Sequence, residues 1–470
     1  MLGSFFCGKD IMSVSSVVLA AGQGKRIKSK LPKVLHPIAG CPMVAHALAT
    51  VHHLSEALPV LVVGVGADLV RDTLADTVRY VVQEQQLGTG HAVQQARSLL
   101  EGESDLVTVT YADMPLLRPE TLQRMVAHHS QSRCVVTILT IAPHEPRGFG
   151  RVVRDSMGHV AGVVEEPDAT PEQLAIRELN AGVYCFDAAW LWSHLDGIPL
   201  SKKGEYYLTD LVGIAVAEGS GVEAVTTEDP TEALGVNTRV HLAEAHAAMR
   251  QRINEKWMLE GVTIVDPAAT YIDVQVSLGA DTVVHPNTFL EGQTNVGAEC
   301  QLGPNTVIRD STLGNRCVVH SSVIEAGVLE DDVEVGPFGR LRPGAHLAVG
   351  VHMGNFGEIK NSYLGPGTKM GHFSYVGDTQ TGPNVNIGAG TVTCNYDGKQ
   401  KHRTILEEGA FVGSDTMLVA PVRIGKGAKT GAGSVVTRDV PPGRLAFGVP
   451  ARIQPEPSGE SPPTDCAEGE

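Results

Sequence analysis

The sequence predicts two domains of different build, an α/β domain with a mostly parallel sheet followed by a parallel β-helix. Three observations carry this. Short Val-rich runs alternate with amphipathic stretches from Val14 to about Gly235. After Gly261, aliphatic residues recur at every sixth position. At 470 residues the chain is too long for one ordinary core, and 52 glycines with only 5% aromatic residues point to many tight turns and thin, repetitive packing.

In the first half, SVVLAAG, PVLVVGVG, YVVQE, DLVTVTYADMP and CVVTILT read as buried strands bounded by turns. PMVAHALATVHHLSEAL and GHAVQQARSLLE between them have the spacing of helices. Strand–helix alternation gives an α/β layer, where ligands sit beyond the carboxyl ends of the strands. The polar–apolar stretch from Val236 to Leu259 places Leu242, Ala245, Met249, Ile253 and Met258 at helical spacing and reads as a connecting helix.

The second half repeats in hexads. Leu278, Val284, Leu290, Val296, Leu302 and Ile308 follow without a gap, and four positions after each comes Thr282, Thr288, Thr294, Cys300, Thr306 or Thr312. The register returns at Val412, Leu418, Ile424 and Thr430, and locally around Leu364, Met370 and Val376. In such a coil the aliphatic residue fills a narrow interior, a following Gly eases a turn and the other side chains face outward. The expected division is an extension over 1–13, an α/β domain over 14–235, a linker helix over 236–260, the β-helix over 261–453 and a Pro/Ser/Glu-rich disordered tail over 454–470.

A net charge of −16 argues against general nucleic-acid binding and leaves room only for local basic pockets. Eight scattered cysteines without a CxxC pair favour reduced cytosolic thiols over a disulfide framework or zinc site. No apolar run approaches a membrane span, and the segment before Met12, an alternative start, is too short and mixed for a secretory signal.

The loop LAAGQGKRIKSKLPK, from Leu19 to Lys33, fails both the Walker and the dinucleotide patterns, because Leu19, Arg26 and Ile27 stand where those need Gly, Ser/Thr and Gly. What it offers is bare backbone at Ala21, Gly22 and Gly24 beside Arg26 and Lys33, which suits a triphosphate. It reads equally as a strand–helix turn with a solvated charged face. Asp113, after a buried strand, is a candidate Mg²⁺ ligand in the same sheet. Gln83 and the Gly88–Thr89 backbone form a second loop able to pair with a base. On the β-helix, His372 projects from the coil two residues after Met370, near Tyr375, Lys360, Arg342, Asn386, Asn395 and Tyr396. TCNYDGKQKHRT interrupts the hexads, and loops leaving a solenoid tend to carry its function.

Taken together, LAAGQGKR with Lys33, QLGTGHA, YADMPLL, GFGR, VEEPDA, LNAGVY and GVNTR, then RLRPGA, NFGEIK, GHFSYVGD, NIGAGTVTCNYDG and FVGSDTMLVAP, resemble one bacterial family from about Val14 to Pro450. It is the bifunctional N-acetylglucosamine-1-phosphate uridyltransferase/glucosamine-1-phosphate N-acetyltransferase family. The resemblance implies a Rossmann-like domain of the nucleotide-diphospho-sugar transferase type and a left-handed β-helix of hexapeptide repeats. It implies that Leu19, Ala20, Ala21, Gly22, Arg26, Lys33, Gln83, Gly88 and Thr89 hold UTP. Tyr111, Gly150, Glu165, Asn180 and Asn237 then hold the sugar phosphate, and Asp113 with Asn237 holds Mg²⁺. No covalent intermediate is needed, and none of the cysteines matches a family nucleophile.

For acetylation the resemblance makes His372 the general base, oriented or polarised by Glu358, since the attacking amine must lose a proton. It assigns Arg342, Lys360, Tyr375, Asn386 and Lys401 to the sugar phosphate, and Ala389, Asn395, Tyr396, Ser414 and Ala432 to acetyl-CoA. The Ala389 N–H would meet the oxyanion. Some relatives carry a late arginine for CoA; Gly448 and Val449 occupy the matching stretch here, which leaves Arg452 as the candidate. The family implies cytoplasmic homotrimers with acetyl-transfer sites between chains, and small-molecule substrates rather than nucleic acid or membrane. The rival reading is a single-activity nucleotidyltransferase whose β-helix only oligomerises, which would leave His372, Lys360 and the NYDG loop without purpose.

Overall fold

The computed structural model describes residues 12–143, 145–146 and 148–455. The expected extension up to residue 11, the tail from 456, Cys7 and Cys466 lie outside the described residues. Two compact units meet in the sequence between Met249 and Arg250, inside a helix that runs Arg239–Leu259.

The first unit is built on a mixed sheet with strand order Val222–Thr226, Val136–Ile141, Leu179–Asp187, Leu106–Tyr111, Val14–Leu19, Val60–Val63, Arg79–Val82. Only Leu179–Asp187 runs antiparallel to its neighbours along this path. Every residue of Val14–Leu19 is buried, as expected of a central strand covered on both faces. Its two serines are buried too, and the Ser16 and Thr108 hydroxyls pair at 2.9 Å, which offsets the cost of removing them from water. Val44, Leu48, Leu122 and Met125 from helices Met43–His52 and Pro119–Gln131 pack one face, and Val93, Leu191 and Leu211 pack the other. The chain leaves Val14–Leu19 toward Val60–Val63 on one side and meets Leu106–Tyr111 on the other. The loops after these central strands therefore diverge and open a crevice at the carboxyl ends.

The helix Arg239–Leu259 buries Ala245 and Ile253, as its spacing predicts, but Met258 is 41% exposed while Trp257 is 7% exposed. Indole area outweighs the thioether at the last turn, so the apolar stripe ends one residue early.

The described residues of the second unit coil through three sheets of 12, 10 and 9 strands, parallel except where Leu445–Gly448 meets Ala451–Ile453, a left-handed β-helix. Coils stack in register, Leu278 on Val296 and Val284 on Leu302, so each aliphatic column is continuous and buried. Three features depart from the sequence reading. The small residues Thr282, Thr288, Thr294, Cys300 and Thr306 also face inward and are fully buried, and the Thr282 and Thr294 hydroxyls donate to carbonyls of Gly297 (3.0 Å) and Glu291 (2.7 Å). The step after Ile308 is five residues, so Leu313 takes the interior position, Ser311 is buried and Thr312 faces out. Glycine after the aliphatic residue serves close stacking, because a Cβ on Gly354 would lie 1.9 Å from the Gly371 carbonyl oxygen. The left-handed corners are shared between glycines and other residues, among them Asp281 (φ 61°), Asn287 (58°) and Asn305 (54°), types whose short polar side chains tolerate it.

Interior volume is therefore what the hexads encode. Leu302→Ala should lower stability of this unit by about 2–5 kcal/mol, whereas Gln301→Ala, on the outer face, should change it by less than about 0.5 kcal/mol in denaturant unfolding.

Candidate active sites

The loops at the carboxyl ends of the first sheet enclose a cavity of about 630 Å³. Leu19, Ala20, Ala21, Gly22, Arg26, Lys33, Gln83, Gly88 and Thr89, the residues expected to hold UTP, all line it. Two glycines have steric reasons. A Cβ on Gly24 would strike the Lys33 stem at 2.9 Å, and one on Gly88 would lie 2.5 Å from the Tyr206 carbonyl oxygen. Gln83 is buried, with its amide nitrogen donating to the Gly88 carbonyl at 3.0 Å and meeting His91 Nδ1 at 3.0 Å. An adjoining cavity of about 500 Å³ is lined by Tyr111, Gly150, Glu165, Asn180 and Asn237, the residues expected at the sugar. Arg26, Thr89, Tyr111, Asp113 and Tyr207 line both.

Asp113 stands at the junction, tied to the Asn237 segment by the Val236 N–H on the Asp113 carbonyl at 2.9 Å. The Lys33 ammonium donates to Asp113 Oδ2 and, at 3.2 Å, to Asn237 Oδ1. Both side chains of the Lys33–Asp113 pair are less than one-fifth exposed. Two oxygens from distant segments thus already face one positive charge. An all-oxygen donor pair of this kind fits Mg²⁺, which takes few protein ligands and completes its shell from phosphates and water. Burial raises the Tyr111 phenol, helped by the charges of Asp113 and Glu165 and opposed by a hydrogen bond with Thr89. Burial likewise raises the Glu165 carboxyl, with Thr209 opposing and Asp210 adding to it.

Sequence reasoning missed the segment that closes this site. Thr209 donates to Glu165 Oε1 at 3.2 Å, the Leu208 N–H donates to Thr89 Oγ1 at 3.0 Å, and the Gly90 N–H donates to the Tyr206 carbonyl at 2.9 Å. The signal was present in KGEYYLTDLV, where Thr-Asp precedes an apolar run and opens helix Asp210–Glu218.

On the second unit the expected residues fall into two groups. Arg342, Glu358, Lys360 and Tyr375 follow one another on adjacent coils of one sheet, with Glu358 beside Tyr375. Glu358 is held by the Arg342 guanidinium at 3.0 Å, so within the chain its carboxylate joins the cationic group and not the imidazole. The Lys401 ammonium lies beside Lys360, which lowers its pKa, while Asp378 and Tyr375 oppose that shift. The other group is a column of corners. His372 is exposed at one corner, and the backbone stacks Gly390 N–H on the Phe373 carbonyl (2.7 Å), Asp415 N–H on Ala389 (2.6 Å) and Gly433 N–H on Ser414 (2.8 Å). Ala389, Ser414 and Ala432 thus form a ladder leading away from His372. Asn386 starts a strand of the 12-stranded sheet, and Asn395 and Tyr396 root the inserted loop at the far end of strand Ser374–Gly377. Arg452 is exposed on the terminal strand Ala451–Ile453, opposite Phe447.

MobA-like NTP transferase domains match residues 16–171. Relatives named "Bifunctional protein GlmU" match nearly the whole chain. That of Heliobacterium modesticaldum is 49% identical over 92% of this chain and 94% of its own. Those of Trichlorobacter lovleyi and Geobacter metallireducens are 47% and 46% identical, over 93% and 92% of this chain and 96% of each relative.

With φ +100° at Gly88 and no room for a Cβ, Gly88→Ala should cost about 1–3 kcal/mol and weaken UTP binding by calorimetry. Gly197→Ala, where a Cβ meets nothing within 4 Å, should change neither.

Proposed function

The chain belongs to the family of bifunctional GlmU proteins, and from that premise we infer that it carries out two transfers in series. It acetylates the amine of glucosamine 1-phosphate with acetyl-CoA, then transfers uridylyl from UTP to N-acetylglucosamine 1-phosphate and releases pyrophosphate. We assign the second transfer to residues 14–235 and the first to residues 261–453, with the helix over 236–260 between them.

The assignment of uridylyl transfer rests on the convergence of Asp113 and Asn237 on the Lys33 ammonium at the junction of two cavities. Asp113 and Asn237 would hold Mg²⁺, which when bound offsets charge on the phosphates. Leu19 to Gly22, Gln83, Gly88 and Thr89 hold the nucleoside by close backbone approach. Arg26 and Lys33 steady the triphosphate, and Lys33 exchanges its carboxylate partner for phosphate oxygens. Tyr111, Gly150, Glu165 and Asn180 orient the sugar so that its phosphate attacks where the two cavities meet.

For acetyl transfer, His372 accepts the amine proton as the amine attacks the thioester, and the Ala389 N–H meets the oxyanion. Arg342, Lys360, Tyr375, Asn386 and Lys401 bind the sugar phosphate. Asn395, Tyr396, Ser414 and Ala432 contact CoA, with Arg452 a further candidate. His372 and the loop root at Asn395 are separated by the length of strand Ser374–Gly377, about 13 Å at the rise of a strand. That separation supports a homotrimer whose acetyl-transfer sites draw residues from two chains. A cytoplasmic location is supported by the free thiols of Cys134, Cys185, Cys300, Cys317 and Cys394; among the described residues no helix is long and apolar enough to cross a membrane.

Asp113→Ala should abolish UTP-dependent pyrophosphate release and leave CoA release from acetyl-CoA and glucosamine 1-phosphate intact. If the acetyl-transfer sites lie between chains, unfolding and refolding a mixture of His372→Ala and Lys401→Met proteins should regain CoA release, at low glucosamine 1-phosphate, well above that of either alone. A mixture that forms mixed trimers and stays inactive would contradict the shared site.

A further inference from the structure

The inserted loop at residues 395–403 is clasped at both ends by Asp378, the last residue of GHFSYVGD, to which the sequence alone assigns no role. At its start, Asn395 donates its amide to Asp378 Oδ2. At its end, the Thr404 N–H donates to the Asp378 carbonyl at 3.2 Å. On its other side Asp378 receives the Asn361 amide on Oδ1, and its own N–H donates to the Lys360 carbonyl at 3.1 Å. Asp378 is 9% exposed and sits at φ +49°, the left-handed corner conformation that Asp281, Asp332 and Asp415 also adopt on other coils. Between the clasped ends the loop is held by Asp397, which accepts from the Lys399 and Gln400 N–H groups at 2.7 Å each and pairs with His402 at 2.7 Å. Lys401 is thereby held on a braced hairpin next to Lys360.

We propose that Asp378 is a positioning residue of the acetyl-transfer site, a fixed residue that ties the Lys360 backbone to the root of the loop carrying Lys401, so that both ammoniums face one sugar phosphate. The proposal rests on reading this second site as the one that binds glucosamine 1-phosphate. Two ammoniums brought side by side repel each other, and a buried carboxylate fixed at the root of the loop opposes the downward shift that Lys360 imposes on Lys401. The groups acting on Lys401 are Lys360, which lowers its pKa, and Asp378 and Tyr375, which raise it. Burial works to raise the Asp378 carboxyl, but the Asn361 and Asn395 amides and the charges of Lys360 and Lys401 hold it below its usual range. Asp378 touches no reacting atom in this scheme and acts through the lysines.

Asp378→Asn tests this, because the substituted amide nitrogen would face the amide of either Asn361 or Asn395, donor against donor. In the full-length protein the KM for glucosamine 1-phosphate should rise about tenfold or more, with kcat changed far less and uridylyl transfer unaltered. Losing the carboxylate lowers the Lys401 pKa further, so the alkaline rise in KM should begin at a lower pH than in the wild type. In the Asp378→Asn background, Lys401→Met should cost much less than it does alone. A wild-type KM and pH profile, or a Lys401→Met penalty of equal size in both backgrounds, would overturn the proposal. If Asp378→Asn does not fold, Asp378→Glu, which displaces the charge without removing it, is read by the same KM and additivity criteria. Absence of CoA release from the wild-type protein would instead sink the reading of the site itself.

Discussion

Parallel strand pairing decides where chemistry is built in both halves of this chain. When neighbouring strands run the same way, the loops that follow them emerge in one row, and residues far apart in sequence meet there. In the first unit that row is the carboxyl edge of the sheet, where Lys33, Asp113 and Asn237 converge although 80 and 204 residues separate Lys33 from its two partners. In the second unit the rows are the corners of the β-helix, spaced by one strand separation, about 4.8 Å. There His372, Ala389, Ser414 and Ala432 line up on successive coils.

Each cationic cluster is built around an acid. Lys33 pairs with Asp113 and Arg342 with Glu358, and the loop that carries Lys401 is rooted on Asp378. A chain of net charge −16 sustains such pockets only locally, and the acids hold the Lys33 and Arg342 side chains in place. The same arrangement gives the ligand something to displace. On the proposed assignment, phosphate oxygens reaching Lys33 would release Asp113 for another cation and so couple nucleotide binding to the metal site.

Much of this was legible in the sequence because it rests on short-range pattern. The hexads fixed the β-helix, and the buried runs before Ala20 and Asp113 placed both loops at strand ends. What the sequence left hidden depended on contacts between distant segments. Asp378 closes the motif GHFSYVGD, but its role comes from Asn361, Asn395 and Thr404 on neighbouring coils. The 203–209 segment reads as an ordinary helix approach until Thr209 is seen on Glu165. Periodicity also carried the pattern one hexad too far: a five-residue step after Ile308 turns Thr312 outward and brings Leu313 in. Glycine misled for a similar reason, since a turn and a close approach look alike in one sequence, and only the neighbouring coil distinguishes them.

The central claim is that each unit carries its own transfer site, and it is tested most directly on the wild-type protein by withholding one substrate at a time. With acetyl-CoA and glucosamine 1-phosphate but no UTP, CoA should be released. With UTP, Mg²⁺ and N-acetylglucosamine 1-phosphate but no acetyl-CoA, pyrophosphate should be released at the rate seen in the complete mixture. If either half-reaction fails until the other's substrates are added, the two sites are not independent and the division of the chemistry between the units is wrong.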